Sequence, residues 1–212
     1  MARGKFITFE GGEGTGKSTQ VALLGAALRQ IDISVVLSRE PGGSPGAEEI
    51  RNFLVNGEVN RWSPMSEVLL NYAARIEHLE KTIHPALDQN SWVISDRFSD
   101  STIAYQGYGH GVDSSTLNLL NSILIGEFKP DLTLIFDLDL EIGLARARAR
   151  GEGENRYERM GRDFHERLRQ GFLDIALGEA ERCCVIDASL SIDQVACNIR
   201  KLVSERLQVN LP

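Results

Sequence analysis

Apolar residues fall along this chain in short unbroken runs, separated by longer stretches in which they recur every three or four positions. The runs at residues 5–10 (KFITFE), 33–38 (ISVVLS), 92–95 (WVIS), 132–136 (LTLIF) and 183–186 (CCVI) have the length and composition of buried strands. Helical spacing predicts helices over 18–29, 47–56, 65–87, 114–126, 140–150, 157–177 and 192–207. In the longest of these, Leu69, Tyr72, Ile76, Leu79 and Ile83 form one apolar stripe. Five short apolar strands, each followed by helix, predict an α/β fold with a five-stranded parallel sheet covered by helices on both faces. The 212 residues fit one domain over 1–212 more naturally than two. No repeat or low-complexity tract interrupts the pattern, and the one linker-like stretch is 151–155 (GEGEN), flanked by arginines.

The first strand runs into Gly11-Gly12-Glu13-Gly14-Thr15-Gly16-Lys17-Ser18, a full GxxxxGK[ST] match that opens a predicted helix. Glycines let backbone amides turn inward around phosphate oxygens, and the helix N-terminus adds positive potential. Lys17 is placed to reach the β- and γ-phosphates of ATP, and the Ser18 hydroxyl to sit on Mg²⁺. The nucleotide-binding run extends from Gly11 to Thr19. No NKxD guanine-reading motif follows, so the loop points to a kinase more than to a GTPase.

Open α/β sheets bind ligands beyond the carboxyl ends of their strands. Arg39-Glu40 and Asp96-Arg97 fall at such ends and converge with the loop on one crevice. There Asp96 can hold Mg²⁺ through water, although a strand-end aspartate can also simply cap the next turn. Arg97 has the planar fork that suits phosphate, and its plain alternative is a surface pair with Asp100.

Composition narrows the picture further. A net charge of −7 argues against nucleic acid as a partner, so bound anions must meet local cations. Cys183, Cys184 and Cys197 show no CxxC spacing and read as reduced thiols of a cytoplasmic protein. His78, His84, His110 and His165 lack metal-ligand spacing. No signal peptide and no membrane-length apolar run is expected.

Four further segments carry a resemblance. They are Arg39-Glu40-Pro41-Gly42-Gly43 with Glu49-Ile50-Arg51 downstream, Ala73-Ala74-Arg75, the run 96–107 (DRFSDSTIAYQG), and more loosely 146–151 (RARARG). With the phosphate loop they run in order over nearly the whole chain, which resembles the thymidylate kinases, most closely the bacterial type. The resemblance implies a P-loop nucleotide kinase fold, transfer of phosphate from Mg-ATP to dTMP, and a homodimer. It implies that Arg75 reads the thymine, that Ser101, Thr102, Tyr105 and Gln106 line the dTMP pocket, and that Tyr105 sits near the sugar and disfavours a 2′-hydroxyl. Glu13 matches an acidic residue near the 3′-hydroxyl, and Glu40 and Arg51 match pocket residues. Arg146, Arg148, Arg150 and Arg156 look like a lid over about 146–158, with Arg150 the first choice for the arginine that acts on the transferring group. One position departs from the family. Asn71 stands where a phenylalanine usually stacks on the base, and the helical register predicts that Asn71 faces the base while Tyr72 is core. Two rivals stay open at this point: a kinase for dUMP, dCMP or a deoxynucleoside, and a non-catalytic nucleotide-binding module.

Overall fold

The computed structural model describes residues 3–149 and 156–212. Five parallel strands form one sheet in the order β2-β3-β1-β4-β5. They are β1 (Phe6–Gly11), β2 (Val35–Arg39), β3 (Trp92–Asp96), β4 (Leu132–Asp137) and β5 (Cys183–Asp187). β1 is buried along its full length, as a central strand covered on both faces must be. Its alternate side chains feed two cores. Ile7 and Phe9 pack with Leu24 and Leu28 of helix α1 (Lys17–Arg29) and Ile199 and Val203 of α9 (Ile192–Leu207). Phe6 packs on the other face with Leu79, Ile83 and Phe98. A third cluster on that second face joins Ile135 to Tyr105 and to Phe164, Leu168 and Phe172 of α8 (Arg162–Gly178).

The remaining helices are α2 (Pro45–Val55), α3 (Pro64–His78), α4 (His84–Asp88), α5 (Ser99–Thr102), α6 (Ser114–Leu124) and α7 (Leu140–Ala149). Among the described residues, no helix is long and apolar enough to cross a membrane.

Two predicted elements differ from those observed, and one observed element is not predicted. The helix expected over 65–87 is interrupted by a π turn at Leu79–Ile83. Pro85 follows that turn and has no amide hydrogen to continue an α ladder, so the backbone opens ahead of it. The helix expected from 157 begins only at Arg162, after a turn, with Gly161 as its extended N-cap. Residues 99–109 form a short α turn that continues as a π helix over Ile103–Gly109, where the sequence predicts no element. The apolar period is hidden there because the inward face carries Asp100, Thr102 and Gln106, all buried.

β1 and β3 are neighbours whose following connections run to opposite edges of the sheet. This is the switch point at which a crevice opens beyond the carboxyl ends. Register places Phe9, Asp96 and Arg39 in one row across that end.

Tyr72 lies in the core between α3 and α6, 1% exposed, packed with Val68 and Leu117. Its hydroxyl donates to the Leu117 carbonyl at 3.3 Å. Tyr72→Ala is expected to lower the unfolding free energy by about 3–5 kcal/mol, the range for emptying a large aromatic site. Tyr72→Phe should cost about 1 kcal/mol. Urea unfolding followed by circular dichroism measures both, and an alanine loss under about 1 kcal/mol would place Tyr72 outside the core.

Candidate active site

The loop after β1 takes positive φ at Gly14 (68°) and Gly16 (87°), a region that favours glycine. A Cβ on Gly14 would lie 1.9 Å from the Gly143 carbonyl oxygen of α7, so the loop is pressed against that helix. Lys17 opens α1 and is buried. Its Nζ donates to the Gly11 carbonyl at 3.1 Å, the Gly12 carbonyl at 2.7 Å and the Thr15 hydroxyl at 3.2 Å. Burial, reinforced by Arg97, lowers its pKa to about 8 against the pull of Asp96, Glu13 and Glu10. Ser18 and Thr19 follow on the exposed first turn of α1.

The Ser18 hydroxyl donates to Asp96 Oδ2 at 2.6 Å, so the two side chains assigned to a metal stand together. Among the described residues, no three His, Cys, Asp or Glu side chains form a ready-made metal cage. One hydroxyl and one carboxylate suit Mg²⁺, which keeps water and substrate phosphates among its ligands.

Arg97 spans the crevice. Its Nη1 donates to the Gly11 carbonyl at 2.9 Å and the Ser101 hydroxyl at 3.3 Å, and its Nη2 to Glu13 Oε1 at 3.0 Å. Its guanidinium lies 4.9 Å from the Tyr105 ring centroid, a cation–π distance. The Tyr105 hydroxyl donates to the same Glu13 oxygen at 2.5 Å. Burial alone would raise Glu13, but Arg97 and Lys17 carry its pKa down to about 2. The turn bearing Arg97 rests on Glu10, which accepts from the Phe98 amide at 2.7 Å and the Ser101 hydroxyl at 2.6 Å. Burial first, and then Asp100, push Glu10 up to about 8.

Glu13, Glu40, Arg51, Asn71, Arg97, Ser101, Thr102, Tyr105 and Gln106 all line one crevice. The crevice is partly open to solvent. Asn71 faces it, with its amide donating to the Glu67 carbonyl at 2.9 Å, while Tyr72 does not. Arg75 stands behind this wall. It donates to Glu40 Oε2 at 2.8 Å, and to the Phe98 carbonyl and the Thr102 hydroxyl at 3.0 Å each. Arg75 Nη1 is buried with no hydrogen-bond partner among the described residues.

Of the four arginines grouped as a lid from the sequence, three are among the described residues. Arg146 donates to the Ala188 carbonyl at 3.2 Å, and Arg148 is exposed. Arg150 lies outside the described residues. Arg156, grouped with them from the sequence, is 1% exposed and fastened to the carbonyls of Leu54, Glu58 and Val59 and to the Glu67 carboxylate.

Pro41, Val55 and Tyr157 also line the crevice, and Glu10 and Glu67 support it from behind, although none of the five was singled out from the sequence. Glu10 carried a signal, since a carboxylate inside a buried strand needs partners. Glu67 carried none, because it sits in a first helical turn where acidic residues are ordinary.

A parallel sheet with a phosphate loop after β1, an acidic residue ending β3 and a cation-lined acceptor crevice beside them define a P-loop nucleotide kinase. The thymidylate kinase family model matches residues 9–199. A thymidylate kinase of Caulobacter vibrioides is 52% identical over 98% of this chain and 99% of its own, and one of Ruegeria pomeroyi is 48% identical over 96% of each. The crystal structure of a thymidylate kinase from Ehrlichia chaffeensis superposes with a TM-score of 0.76 at 39% identity, covering 95% of this chain and 99% of that one. The chain belongs to the thymidylate kinase family.

Because burial lowers the Lys17 pKa to about 8, binding of a nucleoside triphosphate is expected to raise it and restore the proton. Calorimetry at that pH, in buffers of different ionisation enthalpy, should show uptake of roughly half a proton. Affinity should be full below this pKa and fall as pH rises through it. Binding with no proton exchange would remove Lys17 from the phosphates.

Proposed function

We propose that this protein transfers the γ-phosphoryl group of Mg-ATP to the 5′-phosphate of dTMP, giving dTDP for DNA synthesis. The observation that carries this reading is the meeting of two anion sites across Arg97, which touches both the phosphate loop at Gly11 and the acceptor wall at Ser101 and Glu13.

The loop amides and Lys17 hold the triphosphate, with Lys17 leaving the Gly11 and Gly12 carbonyls for the phosphates. Ser18 and Asp96 would hold Mg²⁺, which would neutralise phosphate oxygens. Arg97 presents a fixed cation to the acceptor phosphate, and Arg150 is the lid arginine assigned to the group in transfer. The protein's contribution is alignment and charge neutralisation, since phosphoryl transfer asks little covalent chemistry of it. Glu13 takes the 3′-hydroxyl, and Tyr105, fixed to it, closes the space a 2′-hydroxyl needs. The reading extends to one domain over 1–212 with a lid over about 146–158, and to a cytoplasmic homodimer with no nucleic-acid partner. Leu119 and Ile123, one turn apart on α6 and 61% and 68% exposed, offer such a dimer an apolar face.

An ADP-release assay across dTMP, dUMP, dCMP, thymidine and dAMP tests the proposal. dTMP is expected to lead and thymidine to be inert, because the cations of the crevice need an anionic acceptor. Lys17→Ala should lower kcat by more than tenfold, a loss above about 1.4 kcal/mol, while leaving the fold. Equal turnover of thymidine and dTMP would overturn the reading.

The family's stacking aromatic is absent at Asn71. Base–aromatic stacking is worth roughly 1–3 kcal/mol. Asn71→Phe is therefore expected to tighten dTMP binding by up to about tenfold, and titration calorimetry measures it. Unchanged binding would show that the wall opposite Asn71 leaves no room for a ring.

A further inference from the structure

We propose that Glu67 is a positioning residue that decides which pyrimidine edge the acceptor crevice accepts. It takes the amide nitrogen of Gln106 and so leaves the Gln106 carbonyl oxygen to face the base. The proposal rests on reading the crevice as a pyrimidine monophosphate site.

Gln106 lines the crevice and is 2% exposed. Its Nε2 donates to Glu67 Oε1 at 2.7 Å. A primary amide is near-symmetric in shape, so which end faces a ligand is set by its neighbours. Glu67 sets it one way, because an ionised carboxylate only accepts. The surroundings keep Glu67 ionised. Burial at 1% exposure would raise its pKa, but His110, Arg156 and Gln106 together hold it below the usual carboxylate range. Its Oε2 pairs with Arg156 Nη2 at 2.5 Å. Arg156 cannot turn away, because its guanidinium also donates to the carbonyls of Leu54, Glu58 and Val59. His110 Nε2 stands 3.5 Å from Oε1, and the Tyr157 hydroxyl, raised by burial and then by Glu67, completes the cluster.

With one N–H held by Glu67, the Gln106 amide is turned so that its oxygen is the end left for the base. A carbonyl oxygen pairs with a ring N–H and meets a ring lone pair with repulsion. Thymine and uracil carry a hydrogen on N3, and cytosine carries a lone pair there. The cluster therefore favours dTMP and dUMP over dCMP, and it acts without Glu67 touching the substrate.

Glu67→Gln reverses the polarity. Arg156 still demands an acceptor, so the new amide turns its oxygen to Arg156 and its nitrogen to Gln106. Gln106 must then flip and present its own nitrogen to the base. In ADP-release assays, wild-type kcat/KM is expected to favour dTMP over dCMP by at least about 100-fold, since a site built around one hydrogen bond rejects the wrong edge strongly. Glu67→Gln should narrow that ratio by at least about tenfold while the dTMP-to-dUMP ratio stays within about threefold. The second ratio reports only the C5 methyl group, which a merely loosened pocket would also misread. An unchanged dTMP-to-dCMP ratio, or a parallel fall in both ratios, would overturn the proposal. If the variant does not fold, wild-type protein with N3-methyl-dTMP decides. A loss of at least about thirtyfold against dTMP supports the assignment, and use within about threefold overturns it. Failure of the wild type to phosphorylate any pyrimidine monophosphate would instead remove the proposed activity itself, before any variant is made.

Discussion

Arg97 leaves β3 with a backbone φ of 74°, a left-handed conformation that costs a non-glycine residue about 1–2 kcal/mol. Three hydrogen bonds hold it there. Its amide donates to the Phe9 carbonyl at 2.9 Å, its carbonyl accepts from the Ser95 hydroxyl at 2.7 Å, and the next amide donates to Glu10. Two of these partners belong to β1, so the turn exists only once β1 and β3 are paired. From this turn the guanidinium reaches the phosphate loop on one side and Ser101 and Glu13 on the other. The phosphate loop and the crevice wall thus share one support at the centre of the sheet.

Buried ion pairs fix the layers around that centre. Glu40 joins β2 to α3 through Arg75 and His78, Asp100 joins α5 to Arg182 beside β5, and Glu67 joins α3 to Arg156. Removing one member of such a pair leaves a charge with no solvent and no partner, typically costing 3–5 kcal/mol. Apolar contacts tolerate small slips between helices, whereas these pairs do not. They cluster on the face of the sheet that carries the crevice.

The five strands, their parallel pairing and the phosphate loop were legible because each is written in local periodicity or a contiguous motif. Ile192–Leu207 matched to the residue, helped by a Ser191–Gln194 capping box. The helix at 99–109 was not legible, because residues recruited to a crevice wall overwrite the apolar period that announces a helix. Arg156 read as a lid residue because it sits near other arginines in sequence, and only the fold shows that residues 54–59 supply three carbonyls to hold it. Asn71 and Tyr72 show the opposite case. Their 100° separation on a helix was enough to send one to the crevice and the other to the core.

The contact between Gly14 and Gly143 bears on how the molecule moves. Gly14 is not one of the two glycines its motif demands, yet backbone meets backbone there with no room for a methyl group. The phosphate loop therefore serves as a bearing against which α7 is seated. A helix seated this way cannot swing from its own base without dislodging the loop that grips the nucleotide. Ala147, one turn farther along α7, packs buried against the same bearing. The phosphate loop and the foot of α7 are, mechanically, one piece.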